Sequence, residues 1–166
     1  LDRVGSSLDR SIDIIEDMLT LVEQGQSIED VSPVSLEALV GKCERNVETA
    51  DADVRIESDY TFEADADRVR HILENLFRNA VEHGGPGVTI RVGCLDDGFY
   101  VADDGPGIPP GQREEVFDVG YSDSADGTGF GLPIVEQVAD SHGWDVAVTE
   151  SRDGGARFEI TGVYPR

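Results

Sequence analysis

The spacing of apolar residues divides the chain into two parts. In residues 1–24 apolar side chains recur at steps of three and four, the seam of a coiled coil or helical bundle; they are Leu1, Val4, Leu8, Ile12, Ile15, Leu19 and Val22. Gly25, Ser32 and Pro33 then interrupt the pattern. We therefore predict one N-terminal amphipathic helix over 1–24, a linker over 25–32 and a separate domain over 33–166.

The second part mixes helical and strand periods. Helical spacing predicts three helices, over 35–50, 67–83 and 132–142. Ser35 is the predicted N-cap of the first helix. Asp65 or Asp67 is the predicted cap of the second helix, which is expected to end at Gly84. Alternating spacing predicts one or two short strands in 53–65, a hairpin in 88–105 that turns at Asp97-Gly98, and strands in 144–151 and 156–164 around a Gly154-Gly155 turn. This order predicts an α/β fold, an α+β two-layer sandwich, whose mixed, mostly antiparallel sheet is covered on one face by helices.

Charge narrows the classes of partner. The 166 residues carry 35 acids against 13 bases, a formal charge of −22, and Lys42 is the only lysine. Such a field repels nucleic acid and anionic membranes, and it also repels a polyanionic ligand unless salt screens it, since the Debye length at molar salt is ~3 Å. We interpret the charge as that of a protein from a high-salt cytosol.

The remaining composition points to a cytoplasmic piece of a longer protein. Cys43 and Cys94 have no metal-ligand spacing, so we expect two buried thiols in a reducing compartment, with a disulfide between them left as the alternative. No apolar run reaches the length of a membrane span, and no secretory signal is visible. Because the chain begins at Leu1 and its only methionine is Met18, we interpret it as a fragment.

Three polar patterns are candidates for chemistry, and the first lies on the helix over 67–83. Asn75 and Asn79 are four residues apart, so their amides lie on one helix face, although asparagine is a mediocre helix former. Amide oxygens suit Mg²⁺, which binds few protein groups and keeps its waters and phosphates. The alternative is a solvated face with two incidental asparagines.

The second pattern is the stretch VADDGPGIP. Asp103 ends an apolar strand, and Gly105 and Gly107 follow at alternate positions. A carboxylate at the edge of a sheet can accept a hydrogen bond from a ligand amine, and the glycines would let the backbone approach a flat ring closely. The alternative is an ordinary polar turn.

The third pattern is DGTGFGL, which precedes the last helix. It lacks the Gly-Lys-Ser/Thr of a P-loop, and its glycine spacing differs from the dinucleotide fingerprint. Free N–H groups of Gly127, Gly129 and Gly131 at a helix start would nevertheless seat a phosphate without a lysine. Hydroxyl groups of Ser122, Ser124 and Thr128 are further candidate donors. The alternative is a flexible loop.

Taken together, an asparagine helix, an Asp-x-Gly-x-Gly turn and a Gly-x-Gly-x-Gly-Leu helix start resemble the ATP-binding catalytic domain of sensor histidine kinases, in the superfamily that includes DNA gyrase and mismatch-repair ATPases. The resemblance covers about 33–166 and implies a Bergerat-type ATP-binding fold. It implies that Asn79 ligates Mg²⁺, that Asn75 lies beside the phosphates and that Asp103 recognises the adenine amine. The remaining nucleotide-binding residues that it implies are Gly105, Gly107, Ile108, Ser122, Gly127, Thr128, Gly129, Gly131 and Leu132. It identifies 108–126 as the ATP lid, with Phe117 in its phenylalanine box.

In this resemblance, one position distinguishes members that transfer the phosphoryl group from members that hydrolyse ATP. Hydrolysing members carry a glutamate general base four residues before the magnesium asparagine, where this chain has Asn75. Glu74 is adjacent but projects about 100° away around the helix. The chain also departs from the kinases at Glu82 and His83, where a lysine and an aromatic are usual, at Ala156, where threonine is usual, and after Phe117, where a basic residue is common. The group that neutralises the γ-phosphate is therefore open, with Arg78, Arg113 and ambient cations as alternatives.

The resemblance also implies partners. We interpret His71, His83 and His142 as structural or surface residues, so the phosphoacceptor histidine is expected on a helix outside this chain. Residues 1–24 resemble the second helix of the dimerisation hairpin, which implies a homodimer, and a response regulator is the implied protein partner. Two alternatives are a hydrolysing or serine-directed relative of the superfamily and a decayed nucleotide-sensing or dimerisation module.

Overall fold

A five-stranded sheet backed by helices organises the chain. The structure is a computed structural model, and it describes residues 15, 19, 31–46, 52–85, 87–118 and 131–163. The strands are β1 (Ser32–Ser35), β2 (Asp53–Ile56), β3 (Thr61–Ala64), β4 (Thr89–Leu95), β5 (Gly98–Asp103), β6 (Asp145–Glu150) and β7 (Ala156–Thr161). The helices are α1 (Leu36–Asn46), α2 (Ala66–Gly84) and α3 (Gly131–His142), with 3₁₀ turns at Pro110–Gln112 and Glu115–Phe117.

The sheet has the strand order β2-β4-β5-β7-β6. Strands β2 and β4 are parallel, while β4–β5, β5–β7 and β7–β6 are antiparallel. The predicted α/β class, a mixed and mostly antiparallel sheet with helices, is confirmed. A second, two-stranded antiparallel sheet joins β1 to β3. The sequence did not predict β1, because Pro33 is unusual in a strand and is tolerated here at the edge of a sheet.

The core lies between the five-stranded sheet and the helices. Fully buried aromatic and aliphatic side chains from both layers form it, among them Phe62, Phe77, Phe99, Phe158, Leu36, Ile72, Leu73 and Leu76. The ring of Phe62 stacks on that of Phe99 with centroids 5.5 Å apart, which joins β3 to β5. Burial of this kind stabilises the fold by ~1.5–3 kcal/mol for each large apolar side chain.

The predicted helix caps of α1 and α2 are confirmed. Ser35 Oγ accepts a hydrogen bond from Ala38 N at 3.3 Å, as an N-cap does. The Asp65 carboxylate accepts one from Arg68 N at the start of α2. The helix ends at Gly84, and Gly85 follows with a φ of 72°, a conformation that glycine adopts without strain.

The predicted turn of the β4–β5 hairpin was wrong by one residue. Leu95 pairs with Gly98, so the two turn residues are Asp96 and Asp97, and neither has a positive φ. Gly98 is instead the first residue of β5. A Cβ there would overlap the carbonyl oxygen of Ile160 on β7, so close strand packing, rather than turn geometry, requires this glycine.

The two cysteines differ in their surroundings. Cys43 is buried in the core and Cys94 is exposed, and both thiols are free. The disulfide alternative is therefore excluded in this structure, and the prediction that both thiols are buried was wrong for Cys94, which lies near the end of β4. Within the described residues, no helix combines the length and apolar character needed to cross a membrane.

Most of the predicted N-terminal helix lies outside the described residues. Two of its residues, Ile15 and Leu19, are described; both are helical and more than half exposed. They are four apart, so they lie on one helix face.

Candidate nucleotide site

Buried polar side chains are rare in the part of the chain that the structure describes. Apart from the Cys43 thiol, only Asn75, Asp103 and Ser151 are polar and buried there, with 6%, 8% and 5% of their surface exposed. Burying a polar group costs free energy unless hydrogen bonds compensate it. Two of the three residues, Asn75 and Asp103, are predicted site residues.

Asp103 is held at the end of β5 by two backbone donors. Its Oδ1 accepts hydrogen bonds from Gly105 N at 3.0 Å and Ala156 N at 3.2 Å. Burial raises the pKa of this carboxyl above its ordinary value, although the Gly105 and Ala156 N–H groups act to lower it. Both bonds use one carboxylate oxygen, so the hydrogen-bonding geometry permits Oδ2 to accept from a ligand.

Three glycines allow close contacts between the Asp103 turn and neighbouring segments. A Cβ on Gly155 would overlap the backbone oxygen and Oδ1 of Asp103. A Cβ on Gly105 would lie 3.1 Å from the Cα of Gly84, at the end of α2. Gly107 has a φ of 78°, and its Cβ would lie 3.0 Å from the carbonyl oxygen of Gly154. The Asp103 turn, the end of α2 and the β6–β7 turn therefore meet.

The asparagines lie further back on α2. Asn75 Nδ2 donates to the carbonyl oxygen of His71 at 2.7 Å, which fixes the orientation of the buried amide. Its Oδ1 faces Gly131, the first residue of α3, where a Cβ would lie 3.3 Å away. Asn79 is one turn further along and half-buried.

Helix α2 therefore connects motifs that are distant in sequence. At Asn75 it contacts the start of α3, and at Gly84 it contacts the Asp103 turn. Nine residues at ~1.5 Å each separate the two contacts by roughly 13 Å along the helix axis, a distance that an extended nucleoside triphosphate spans. The predicted donors Ser122, Ser124, Gly127, Thr128 and Gly129 lie outside the described residues.

The first part of the predicted lid packs on the core. Ile108 and Phe117 are half-buried against it, as is Leu132 on α3. The rings of Phe117 and Phe158 are nearly perpendicular, with centroids 6.3 Å apart. Arg113 Nε donates to the carbonyl oxygen of Ile108 at 3.1 Å, so this arginine supports the segment beside Gly107.

Glu74 is directed away from Asn75. Its carboxylate lies 3.6 Å from Arg70 Nε, one turn earlier on the helix. The pKa of the Cys43 thiol on α1 is raised to about 12, mainly by burial and then by the negative charge of Glu74. Glu74 therefore faces α1, as the helical geometry predicts, rather than the start of α3.

His142 is structural. Its Nδ1 lies 2.8 Å from the carbonyl oxygen of Val138, and its Nε2 lies 3.1 Å from Asp65 N. These partners require the neutral tautomer that donates from Nδ1 and accepts at Nε2. Burial lowers the pKa of this imidazole below its ordinary value, which is consistent with the neutral form.

The Gly154-Gly155 turn between β6 and β7 was predicted from the sequence, but its contact with Asp103 and the role of Ser151 were not. Buried Ser151 accepts from Gly154 N at 3.0 Å through its carbonyl oxygen and donates its own N–H to the Gly155 carbonyl oxygen at 2.7 Å. Ser151 Oγ also accepts from Asp153 N at 3.1 Å. The only sequence signal was a serine before a glycine pair, which is common in turns.

The chemistry of these residues fits an adenine nucleotide with Mg²⁺. A buried carboxylate with a fixed acceptor geometry matches an exocyclic amine, and side-chain amides match a hard cation that keeps its phosphate ligands. Within the described ranges no group of three or more His, Cys, Asp and Glu side chains could hold a metal ion. The side-chain amides on α2 would offer Mg²⁺ few protein ligands, and this ion often keeps several of its waters and phosphate ligands.

Comparison with known proteins identifies the class that this fold and site define. The family described as histidine kinase-, DNA gyrase B- and HSP90-like ATPases matches residues 64–163, and the chain belongs to this family. The described domain is an ATP-binding catalytic domain of the sensor histidine kinase type.

The relatives agree on that type. The sensor histidine kinase ZraS of Salmonella typhi is 30% identical over 166 residues, covering 92% of this chain and 35% of that protein. The solved mycobacterial sensor histidine kinase MprB is 26% identical with a TM-score of 0.70, covering 82% of this chain and 97% of that one. Full-length ShkA in complex with AMPPNP is 28% identical with a TM-score of 0.75, covering 99% of this chain and 37% of that one. The chain thus spans about a third of the length of the ZraS relative.

Proposed function

We propose that this domain binds Mg²⁺-ATP and donates the γ-phosphate to a histidine other than His71, His83 and His142. The observation that carries the proposal is the convergence on α2, where Gly131 contacts Asn75 and Gly105 contacts Gly84. The solved complex of ShkA with AMPPNP, an ATP analogue, supports an adenine nucleotide as the ligand.

Each residue has one task in this proposal. Asp103 accepts a hydrogen bond from the adenine amine, Gly105, Gly107 and Ile108 shape the base pocket, and Asn75 lies beside the phosphates. Asn79 would ligate Mg²⁺, which when bound supplies charge neutralisation for the transferring phosphoryl group. Gly127, Gly129, Gly131 and Leu132, with Ser122 and Thr128, would form the phosphate end. Catalysis is then mainly positioning.

Transfer rather than hydrolysis follows from the absence of a base at position 75. The amide of Asn75 cannot take a proton at neutral pH, and Glu74 is paired with Arg70 on another face of the helix. A Glu74→Gln variant is therefore expected to keep any basal ATPase rate. A steady rate that this substitution abolished would support the hydrolysing relative instead.

Labelling with [γ-³²P]ATP tests the acceptor. The 166-residue chain alone is expected to remain unlabelled, while a longer polypeptide that includes the preceding segment is expected to form acid-labile phosphohistidine. Label on one of the three histidines of this chain would contradict the proposal, and so would a longer polypeptide that bound ATP without being labelled.

Magnesium dependence tests Asn79. ATP affinity in the wild type is expected to fall when Mg²⁺ is chelated, and in Asn79→Ala it is expected to be low with or without the metal. Asp67→Asn is the control, because Asp67 is an exposed residue at the start of α2, about three turns from Asn79. A variant at 79 that kept the full magnesium response would contradict the assignment.

The partners follow from the same class of protein. We propose a homodimer formed through 1–24, consistent with the exposed Ile15 and Leu19 on one helix face, and a response regulator as the downstream acceptor. We propose that the domain works in the cytoplasm, where ATP is available. A monomer in sedimentation at molar salt would contradict the dimer.

The charge of −22 supports a further proposal, that the protein comes from a halophile. Molar salt screens the repulsion between its acids, so the melting temperature is expected to rise with KCl. A melting temperature independent of salt would contradict a high-salt origin.

A further inference from the structure

The face of the five-stranded sheet opposite the core carries a connected set of side chains, which we call the outer-face network. Side chains alternate along a strand, so Arg91 on β4 lies on the opposite face from its buried neighbours Ile90 and Val92. The network comprises Glu57, Arg91, Tyr100, Arg152, Asp153 and Arg157.

Glu57 and Arg91 are the centre of this network. Glu57 Oε2 lies 2.9 Å from Arg152 Nη2 and 3.8 Å from Arg91 Nη1, and Glu57 Oε1 accepts from the Tyr100 hydroxyl at 2.8 Å. Arg91 Nε donates to Asp153 Oδ2 at 3.0 Å. The hydrogen bonds to Glu57, with the Tyr100 bond first, lower the pKa of its carboxyl, so it remains ionised at neutral pH.

Tyr100 is fixed between two neighbours. A Cβ on Gly93 would lie 2.7 Å from Tyr100 Cζ, so only glycine lets the ring lie against the strand. The guanidinium carbon of Arg157 lies 4.1 Å from the ring centroid, a cation–π contact. The side chains of Arg91 and Glu57 are 21% and 27% exposed, so solvent screens this pair less than a fully exposed one.

The network reaches the nucleotide site through the β6–β7 turn. Arg152 and Asp153 belong to the turn that Ser151 and Gly155 close. The same turn contacts Asp103, because Gly155 packs on its carboxylate and Ala156 N donates to its Oδ1. Only two residues separate Asp153 from Ala156. The ion pairs and the Asp103 hydrogen bond therefore restrain opposite sides of one short turn.

We infer that the outer-face network is a positioning device for adenine recognition. The Arg91–Asp153 and Arg152–Glu57 pairs hold the 151–155 turn against Asp103, and this sets the carboxylate for the adenine amine. Arg91 and Asp153 are positioning residues, since they act through the turn and do not touch the nucleotide. The inference rests on the proposed role of Asp103.

The test compares ATP with ITP, which carries an oxygen in place of the adenine amine. Calorimetric dissociation constants are measured for the wild type, Arg91→Gln, Asp153→Asn and the double variant. ATP affinity is expected to fall about two- to fivefold in each single variant, the range for one partly exposed ion pair, while ITP affinity stays constant. The double variant should lose no more than the larger single effect, because both changes remove the same bond.

Arg55→Gln is the matched control. Arg55 is the register neighbour of Arg91 on β2, but its ion pair, at 2.7 Å, is with Asp53 on its own strand. It should leave the ATP to ITP affinity ratio unchanged, and thermal unfolding checks that every variant is folded.

Failure of this inference and failure of the adenine assignment give different results. Equal losses for ATP and ITP, or no loss at all, in Arg91→Gln and Asp153→Asn would overturn the inference while leaving the role of Asp103 intact. A wild-type chain that did not prefer ATP over ITP would contradict the adenine assignment itself.

Discussion

The two ends of the proposed nucleotide site are built differently. At the base end, the Asp103 carboxylate accepts two backbone hydrogen bonds through one oxygen, and Gly155 packs directly against it. At the phosphate end, the Asn75 amide donates one hydrogen bond to the backbone carbonyl oxygen of His71 and faces the glycine that begins α3. One end presents a charged acceptor fixed by the sheet, and the other presents neutral groups on two helices.

In the proposed function, this difference separates recognition of the base from transfer of the phosphoryl group. A single carboxylate in a rigid setting distinguishes an amine from a carbonyl, because the wrong base leaves buried groups unpaired. Neutral amides and backbone donors on helices bind phosphates while leaving the transferring group free to depart, and they provide no base for water. ATP affinity should therefore be sensitive to small structural changes at the base end and less sensitive to such changes at the phosphate end.

The largest expected effect is that of Asp103→Asn. The new amide keeps an acceptor for Gly105 and Ala156 but presents a donor toward the adenine amine, so ATP affinity should fall roughly 10- to 100-fold. Calorimetry in high salt measures the ATP dissociation constant of the variant and of the wild type. Asp104→Asn is the control, since that exposed carboxylate accepts from Thr89 N at 2.8 Å. An unchanged affinity in Asp103→Asn would remove the distinction between the two ends.

Gly155→Ala should destabilise the fold itself. The added Cβ overlaps two oxygens of Asp103, and the free energy of unfolding should fall by about 1–3 kcal/mol, as for an overpacked core. Gly111→Ala provides the control, because a Cβ at Gly111 meets nothing within 4 Å. Denaturant unfolding that was the same for both variants would show that the base end is less rigid than its packing indicates.

Gly131→Ala tests the phosphate end of the site. The Cβ would lie 3.3 Å from Asn75 Oδ1, a tight contact, but alanine also favours the helix by roughly 0.5–1 kcal/mol. We expect nearly unchanged stability and a loss of ATP affinity of about two- to fivefold, since shifting the Asn75 amide disturbs the phosphate end. A loss as large as that in Asp103→Asn would contradict the proposed tolerance.

The smallest expected effect is a change in pH dependence at His142. Burial lowers the pKa of the His142 imidazole in the folded protein below its value in the unfolded chain. The hydrogen bond to the Val138 carbonyl oxygen and the nearby Asp65 act to raise this pKa, and Arg68 acts to lower it. The stabilisation by neutral His142 is therefore complete above the ordinary pKa of histidine and is lost as the pH falls through the lowered one. Melting curves should show that His142→Gln removes this part of the acid loss, whereas His71→Gln keeps it. Parallel curves for the wild type and His142→Gln would contradict this role.

Sequence patterns predicted a helix correctly where residues within or next to that helix specify it. The caps at Ser35 and Asp65 and the helix that carries Asn75 all follow from side chains within a few residues. The β4–β5 turn and the support of Asp103 did not follow. Gly98 resembles a turn glycine, but its neighbour across the sheet, Ile160, determines its role. Gly155 and Ala156 contact Asp103 from about 50 residues away, and no local pattern encodes that contact.

A crystal structure of this chain with Mg²⁺ and a non-hydrolysable ATP analogue tests the arrangement most directly. We predict that the adenine amine lies within hydrogen-bonding distance of Asp103 Oδ2 and that the triphosphate runs along α2 toward Asn75, with Asn79 coordinating the metal. A nucleotide whose base lies away from Asp103, or whose phosphates do not approach Asn75 and Asn79, would contradict it.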